Sequence, residues 1–249
     1  MKKTNKKSLF SLPFQAIAAF LLYAITFTYA FFISFVLVLV FWAPYRLRYS
    51  LILVYSYLMI YLAKWLCGVR YRVTGFENLP KNTSAIVLCK HQSAWETLFL
   101  QVLLPPQCWV LKRKVVLIPF FGWGLWTLRP IVIPAKKRTS FKFLIDQGKQ
   151  KLKQGCWVII FPEGTRVKPG EHKQYSRSGT LLAVETGYPI VPIAHNAGVF
   201  WPKSSFLKRP GVIDVVIGPC IHPGEKNATV LISEVESWIE STVANLPQE

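Results

Sequence analysis

The chain has 249 residues, 52% of them hydrophobic, with 30 lysines and arginines against 12 aspartates and glutamates. This composition excludes intrinsic disorder, a collagen and a disulfide scaffold. The formal net charge is +18, and the excess of positive charge falls in the first 150 residues, beside the longest apolar runs. The pattern favours a membrane surface over a nucleic acid as the anionic partner.

Several motifs that mark familiar sites are missing from the sequence. The five cysteines are widely spaced and form no CxxC pair, which predicts neither a zinc site nor a disulfide framework. Reduced, mostly buried thiols indicate a catalytic part that faces a reducing cytoplasm. The sequence also has no GxxxxGK[ST], GxGxxG, HExxH or GxSxG pattern, which removes the usual signals of nucleotide, zinc-protease and serine-hydrolase sites.

The uncharged stretch between Lys7 and Arg46 predicts a membrane helix. Its apolar part, Phe14 to Ala43, would run about 45 Å as a helix, which exceeds the roughly 30 Å hydrocarbon core of a bilayer. The helix must therefore tilt, bend or extend into the headgroups. A cleaved signal peptide is the alternative, but its apolar region would have only about 7 to 15 residues.

A second uncharged run, Tyr49 to Ala63, would form about 22 Å of helix, which is short of a full crossing. The lysines at the N-terminus and the basic segment from Lys64 onward are both expected on the cytoplasmic side. The two runs then form either a hairpin through the bilayer or a two-helix anchor embedded from one face. The shortness of the second run favours the embedded anchor, and we assign residues 1–66 to it.

Residues 67–249 are predicted to form one α/β catalytic domain, because short apolar runs alternate with segments of helical periodicity. We expect a mixed, mainly parallel sheet flanked by helices. The predicted strands are Tyr71 to Thr74, Ala85 to Cys89, Cys108 to Leu111, Ile131 to Ile133, Trp157 to Phe161, Ile190 to Ala194 and Val212 to Ile217. The predicted helices are Ala94 to Leu104, Phe141 to Lys153, Gly179 to Thr186 and Val230 to Ala244.

His91 lies where a predicted strand opens into a predicted helix. An imidazole at that place could take a proton from a substrate hydroxyl near neutral pH, with Glu96 holding its other nitrogen. The segment Ser93 to Glu96 also fits a capping box, in which Glu96 accepts a backbone N–H at the helix start. From the residues alone both interpretations stay open, and they do not exclude each other.

Two further charged segments follow predicted strands. Glu163, Gly164 and Arg166 lie in the hexapeptide FPEGTR at a carboxyl strand end, where ligands bind in α/β sheets, and the planar fork of Arg166 suits a phosphate. The basic triplet 112–114 precedes an aromatic segment and could bind a headgroup phosphate. An ordinary turn and a solvated basic loop are the respective alternatives.

Taken together, His91 to Glu96, the basic stretch leading into Ile118 to Trp123, Phe161 to Arg166 and Val191 to Ile193 resemble four ordered blocks of the glycerolipid acyltransferase family. The similarity is strongest to its bacterial 1-acyl-sn-glycerol-3-phosphate acyltransferases, and it covers roughly residues 70 to 220. It implies acyl transfer from a thioester, either acyl-CoA or acyl-carrier protein, to the sn-2 hydroxyl of lysophosphatidate, which gives phosphatidate. It implies no metal, no cofactor besides the donor, and no covalent enzyme intermediate.

The resemblance also implies residue roles. His91 would be the catalytic base and Glu96 would orient it, although the family usually has the shorter Asp at that place. The substrate-binding residues would be Lys112, Arg113, Glu163, Gly164, Thr165 and Arg166, with the cations on the phosphate and Glu163 on the glycerol. Lys114 stands where the family commonly has Glu, and Pro134-Ala135 where it usually has Asp-Arg.

Two other functions remain as alternatives. One is an acyltransferase for an ornithine-type or neutral lysolipid, which needs fewer phosphate ligands. The other is a non-catalytic membrane protein that binds anionic lipids, against which His91 and FPEGTR argue because electrostatic binding needs neither. We expect the protein at the inner membrane with its catalytic domain on the cytoplasmic face, and membrane lipids and the thioester donor, not nucleic acid, as partners.

Overall fold

A computed structural model describes residues 12–134 and 137–248, with only the backbone described at 137–139. The described part begins with two long helices, α1 (Leu12–Leu39) and α2 (Tyr45–Cys67), both long and apolar enough to cross a membrane. The N-terminal lysines and Ala135, used in the sequence argument, lie outside the described residues. Helix α2 ends at Gly68, whose left-handed backbone (φ 68°) turns the chain into the sheet.

Helix α2 is longer than the uncharged run that predicted it, because it continues through Arg46, Arg48 and Lys64. Arg48 is buried, and its guanidinium donates a hydrogen bond to the carbonyl oxygen of Thr127. Lys64 is exposed in the last turn, where a cation interacts favourably with the helix dipole. At 23 residues, or about 34 Å, α2 has the length to span the hydrocarbon core, so the argument from its shortness does not hold.

A seven-stranded sheet forms the centre of the α/β part, in the order β1-β7-β6-β2-β5-β3-β4. Five neighbouring strands, from β6 to β4, run parallel, β7 is antiparallel to β6, and β1 is parallel to β7. The predicted mixed, mainly parallel sheet is thereby confirmed, and all seven predicted strands are present. The strands are β1 (Val69–Thr74), β2 (Ile86–Cys89), β3 (Gln107–Lys112), β4 (Ile131–Ile133), β5 (Trp157–Ile160), β6 (Ile190–His195) and β7 (Gly211–Ile217).

Helices cover both faces of the sheet. The side chains of β2 alternate between two cores: Val87 and Cys89 pack in one, Ile86 and Leu88 in the other. A strand buried on both faces must be apolar throughout, which is why β2 is a continuous hydrophobic run. The remaining helices are α3 (Trp95–Leu103), α4 (Arg113–Val116), α5 (Phe121–Thr127), α6 (Lys137–Lys153), α7 (Ser178–Thr186), α8 (Ala197–Phe200) and α9 (Ala228–Asn245).

The four predicted helices correspond to α3, α6, α7 and α9, and the sequence did not predict α4, α5 and α8. Each of these three has four to seven residues, which is too short for a helical repeat of apolar residues to be visible.

The two N-terminal helices pack against the α/β part along their length. Near the start of α1, Ala18 and Leu22 belong to the apolar core on one face of the sheet. Near its end, Ile33 and Leu37 pack with Leu128, just after α5. The opposite face of the helix pair carries exposed apolar side chains, including Phe27 at 69% exposure. An exposed apolar face of this size marks a surface that contacts lipid or another partner.

Candidate active site

The site forms at the carboxyl edge of the parallel part of the sheet, where β2, β5, β3 and β4 all end. His91 follows β2 by two residues, the FPEGTR loop follows β5, and Lys112 is the last residue of β3. Side chains that are far apart in the sequence meet there because parallel strands end at the same edge.

Glu96 holds His91 and caps α3 with the same oxygen atom. Its Oε1 lies 2.8 Å from Nδ1 of His91 and accepts the backbone N–H groups of Gln92 at 3.0 Å and Ser93 at 2.8 Å. Both interpretations that the sequence left open therefore describe the same carboxylate.

The protonation of this pair follows from its surroundings. Burial by itself raises the pKa of the Glu96 carboxyl. The hydrogen bond from His91 and the charges of the His195 and His91 imidazoles lower the pKa by more than burial raises it, so that it lies below its ordinary value. An ionised carboxylate can only accept hydrogen bonds, so Nδ1 of His91 carries the proton. In the neutral ring Nε2 then has a free lone pair, and within the described part of the chain it has no hydrogen-bond partner. His91 is thus prepared to accept a proton.

The loop after β5 fixes the backbone of His91 from both sides. The N–H of His91 donates to Oε2 of Glu163 at 2.7 Å, and its carbonyl oxygen accepts the N–H of Val167 at 2.8 Å. The ring of Phe161 stacks on the imidazole with centroids 3.9 Å apart and planes 13° apart. Gly164 permits the turn of this loop, because its φ is +65°. The loop is therefore the support on which His91 is positioned.

A buried group of charged side chains lies behind this loop. Lys90 is 1% exposed, and its Nζ lies 2.8 Å from Glu163 and 2.7 Å from Glu240 of α9. Tyr175 donates to the same oxygen of Glu240 at 2.6 Å. Burial raises the pKa of Glu163 above its ordinary value, although Lys90 opposes this. The sequence did not predict this group, since its members are up to 150 residues apart.

Another histidine, which is buried, supports the same segment. His195, at the end of β6, donates from Nε2 to the carbonyl oxygen of Lys90 at 2.8 Å, and its Nδ1 accepts the N–H of Ala197. Burial lowers the pKa of His195, which keeps the ring neutral. No sequence motif singles out His195; its position at a strand end, directly before a helix, is the signal that could have found it.

The predicted contact between Glu163 and the glycerol is not what the structure shows. The side chain of Glu163 has no exposed surface, and both carboxylate oxygens face Lys90 and the backbone of His91. The contacts of Glu163 in the structure are thus with Lys90 and with the backbone of His91, which it helps to position.

The other predicted substrate-binding residues are distributed unevenly. Lys112 and Gly164 line a cavity together with His91, and Nζ of Lys112 donates to the carbonyl oxygen of Gly164 at 2.6 Å. Arg113 and Thr165 are exposed beside it, outside its lining. Arg166 also lies outside the lining, where its charge acts on the hydroxyl of Tyr23 in α1.

The cavity beside His91 has a volume of about 510 Å³ and reaches from the strand ends to α2. Apart from His91 and Lys112 its walls are mostly apolar, with Ile52 and Tyr55 of α2, Leu125 of α5 and Leu144 of α6 among them. This shape suits a long hydrocarbon group next to a base.

Known proteins resemble this chain in sequence and in fold. A sequence model of the acyltransferase family matches residues 70–196. The 1-acyl-sn-glycerol-3-phosphate acyltransferase of Pseudomonas aeruginosa is 44% identical over 208 residues, which cover 82% of this chain and 80% of that protein. The protein of the same name from Borreliella burgdorferi is 27% identical over 164 residues, 65% of this chain and 66% of its own.

The fold has also been seen in a solved structure. The crystal structure of the 1-acyl-sn-glycerophosphate (LPA) acyltransferase PlsC from Thermotoga maritima superposes with a TM-score of 0.74, over 92% of this chain and 94% of that one, at 22% identity. The family match spans the segment that contains His91, Glu96 and the FPEGTR loop. The resemblance noted in the sequence is thereby confirmed: the chain belongs to the acyltransferase family.

Proposed function

We propose that this protein transfers a fatty acyl group from a thioester, acyl-CoA or acyl-carrier protein, to the sn-2 hydroxyl of 1-acyl-glycerol-3-phosphate. The product is phosphatidate, a precursor of membrane phospholipids. The observation that carries the proposal is the arrangement of His91, whose Nδ1 is held by Glu96 while its ring lines an apolar cavity. The names of the relatives from P. aeruginosa and B. burgdorferi support the choice of acceptor.

The chemistry follows from the two ring nitrogens of His91. Nε2 takes the proton of the acceptor hydroxyl while the oxygen attacks the thioester carbonyl, and the carbonyl electrons move to its oxygen. When the tetrahedral intermediate collapses, the carbon–sulfur bond breaks, and the imidazolium returns the proton to the leaving thiolate. Glu96 stabilises the positive ring between these steps. At the end of the cycle His91 is neutral again, and the protein is unchanged.

The lining of the cavity suits the other groups of the proposed substrates. Its apolar walls suit an acyl chain, and Lys112 on the same wall as His91 provides a cation for the phosphate. Arg113, the next residue, is exposed and adds a second positive charge nearby. Arg166 does not line the cavity, so Lys112 has the stronger structural case for the phosphate.

Purified full-length protein with His91→Ala tests the proposal. General-base catalysis contributes about 10²- to 10⁴-fold, and we expect at least that loss in kcat with either donor. His172→Ala is the matched control, since His172 also lies 2.8 Å from a glutamate, Glu236, but is exposed and outside the cavity. Retention of a tenth of the wild-type kcat by His91→Ala would exclude His91 as the base.

A panel of acceptors tests the role of the phosphate. Lys112→Met should raise KM for lysophosphatidate more than for a neutral lysolipid, and more than Arg166→Ala does. If both variants keep the wild-type KM for lysophosphatidate, another group binds the phosphate, and the ornithine-type or neutral acceptor becomes the better assignment.

We further propose that the protein lies on the cytoplasmic leaflet of the inner membrane, with α1 and α2 embedded from one face. Both ends of α1 pack against the α/β part, and this supports the arrangement. A helix that crosses the bilayer would have one end at the opposite face of the membrane, where it could not contact a domain on the cytoplasmic side. The exposed apolar face of the helix pair would then contact lipid.

Labelling of introduced cysteines in sealed vesicles separates the embedded anchor from a transmembrane hairpin. Trp42→Cys is in the turn between the helices and Lys173→Cys in the α/β part, and both native side chains are exposed. An embedded anchor predicts no labelling of position 42 by a membrane-impermeant reagent from the periplasmic face. Labelling of position 42 from that face together with position 173 from the other would establish a hairpin.

A further inference from the structure

A second cavity, of about 280 Å³, lies away from His91, between the α1–α2 turn and the segment that joins α5 to β4. Two arginines line it: Arg48 from the first turn of α2 and Arg129 from the connecting segment. No residue of its lining also lines the cavity beside His91. It is therefore a separate feature of the fold, at the amino end of β4, whereas the active site is at the carboxyl ends of the strands.

Arg48 is an unusual residue for the interior, because it is only 3% exposed and has no ion pair with any described carboxylate. One of its nitrogens donates to the carbonyl oxygen of Thr127, but its Nε is buried without a partner in the described part of the chain. A buried cation with an unpaired donor is costly unless a counter-charge meets it. Arg48 thus brings a cation with no described counter-charge to the cavity wall.

Arg129 adds a second positive charge to the same cavity. Its backbone is held in the left-handed region, with φ of 53°, by a hydrogen bond from its N–H to the carbonyl oxygen of Trp126. Its charge is close enough to act on that of Arg48. Two guanidinium groups repel each other, and an anion between them removes the repulsion. Planar guanidinium forks bind phosphate oxygens in pairs.

The rim of the cavity indicates where such an anion comes from. Phe41 and Trp126 line it and are 61% and 63% exposed, and Trp42 beside them is 76% exposed. Exposed aromatic side chains of this kind collect at the headgroup depth of a bilayer. The turn also continues the exposed apolar face of α1 and α2. A phosphate at this depth belongs to a lipid headgroup.

We propose that the cavity between Arg48 and Arg129 binds the phosphate of a bilayer phospholipid that is not a substrate. The bound lipid neutralises the two arginines and fixes the α1–α2 turn at the headgroup level. It thereby sets the orientation of the active-site cavity relative to the membrane from which substrates enter.

The test measures lipid binding to the delipidated full-length protein in detergent, with dioleoyl-phosphatidylglycerol as the probe and native mass spectrometry as the readout. Arg129→Gln should weaken binding about tenfold or more, as expected for a lost charge-assisted contact. Arg129→Lys keeps the charge but not the planar fork of the guanidinium, and its affinity for the lipid should lie between those of the wild type and Arg129→Gln. Arg209→Gln is the matched control, because Arg209 is also exposed but lies outside the cavity.

The outcomes separate the proposal from its rivals. Arg129 is exposed, so its replacement should leave the unfolding temperature unchanged and the binding data interpretable. Equal binding of dioleoylglycerol, which has the same chains and no phosphate, would show an apolar site and refute the proposal. Inorganic phosphate that competes as strongly as the lipid would show a site for a free anion and refute the lipid source. Wild-type affinity in Arg129→Gln would also overturn it.

Discussion

The double role of Glu96 makes Glu96→Gln the most informative change in the site. A glutamine has one oxygen, and it can keep the place of Oε1 and its three hydrogen bonds, to His91 and to the N–H groups of Gln92 and Ser93. Its amide nitrogen then replaces Oε2, which is buried and has no partner among the described residues. A buried donor without an acceptor costs about 1–3 kcal/mol of stability.

The effect on catalysis exceeds this structural cost. In that orientation the glutamine still selects the same tautomer of His91, but it no longer stabilises the imidazolium. In the opposite orientation the amide donates to Nδ1, so that the proton moves to Nε2 and His91 cannot act as a base. In both cases we expect kcat to fall by about 10²- to 10⁴-fold, and stability by about 1–3 kcal/mol.

Ser93→Ala separates the two consequences. The hydroxyl of Ser93 accepts the N–H of Trp95 at 3.1 Å at the same helix start, but does not contact the imidazole. Its loss should cost about 1 kcal/mol and leave kcat near that of the wild type. Urea unfolding and single-turnover acyl transfer measure the two quantities in each variant. The reasoning is refuted if Glu96→Gln keeps kcat within a factor of about three, or if Ser93→Ala loses as much activity as Glu96→Gln.

Two further predictions concern buried lysines. Lys90→Met leaves the carboxylate of Glu163 without its ion-pair partner in the interior and should lower the free energy of unfolding by about 3–5 kcal/mol. Lys226→Met breaks an exposed pair with Glu234 and should lower it by no more than about 1 kcal/mol. Equal effects of the two changes in urea unfolding would contradict this prediction. Burial lowers the pKa of Lys208 to about 8, so its charge is fully unfavourable below that pH, and the cost fades as the pH rises toward the ordinary value for lysine, about 10.4. The stability of the wild type relative to Lys208→Met should therefore increase between about pH 8 and 10, and a flat difference in urea unfolding would refute the assignment.

The sheet and the contact between His91 and Glu96 could be predicted because their signals are local, whereas the catalytic role of the pair stays a prediction. Each strand is a short apolar run, and a central parallel strand such as β2 needs no alternation. His91 and Glu96 are five residues apart at a strand–helix junction, so their contact depends on one turn of chain. The capping pattern and the catalytic pattern were both visible, although the residues alone could not show that one oxygen serves both.

The positions of the charged residues could not be predicted in the same way. A glutamate after an apolar strand suggests a ligand contact, yet Glu163 is paired with Lys90, which also pairs with Glu240 from the last helix. Arg48 and Lys64 flank the uncharged run in the sequence, but a tertiary contact with Thr127 lets the helix continue through Arg48. Such pairings depend on which elements become neighbours, and that information is spread over the whole chain.

The arrangement of the N-terminal helices bears on where the membrane anchor ends and the catalytic domain begins. The division into residues 1–66 and 67–249 stays a prediction, but Leu22 and Ala63 from one side share an apolar core with Phe99 and Ile193 from the other. Ile52 and Tyr55 of α2 also form part of the wall of the cavity beside His91. Removal of the helices would therefore expose core side chains and open the site at which the acyl chain is proposed to lie. Under the proposed function, the N-terminal helices would therefore both embed the protein in the membrane and close the apolar cavity around the base, at the surface from which lipid substrates would enter.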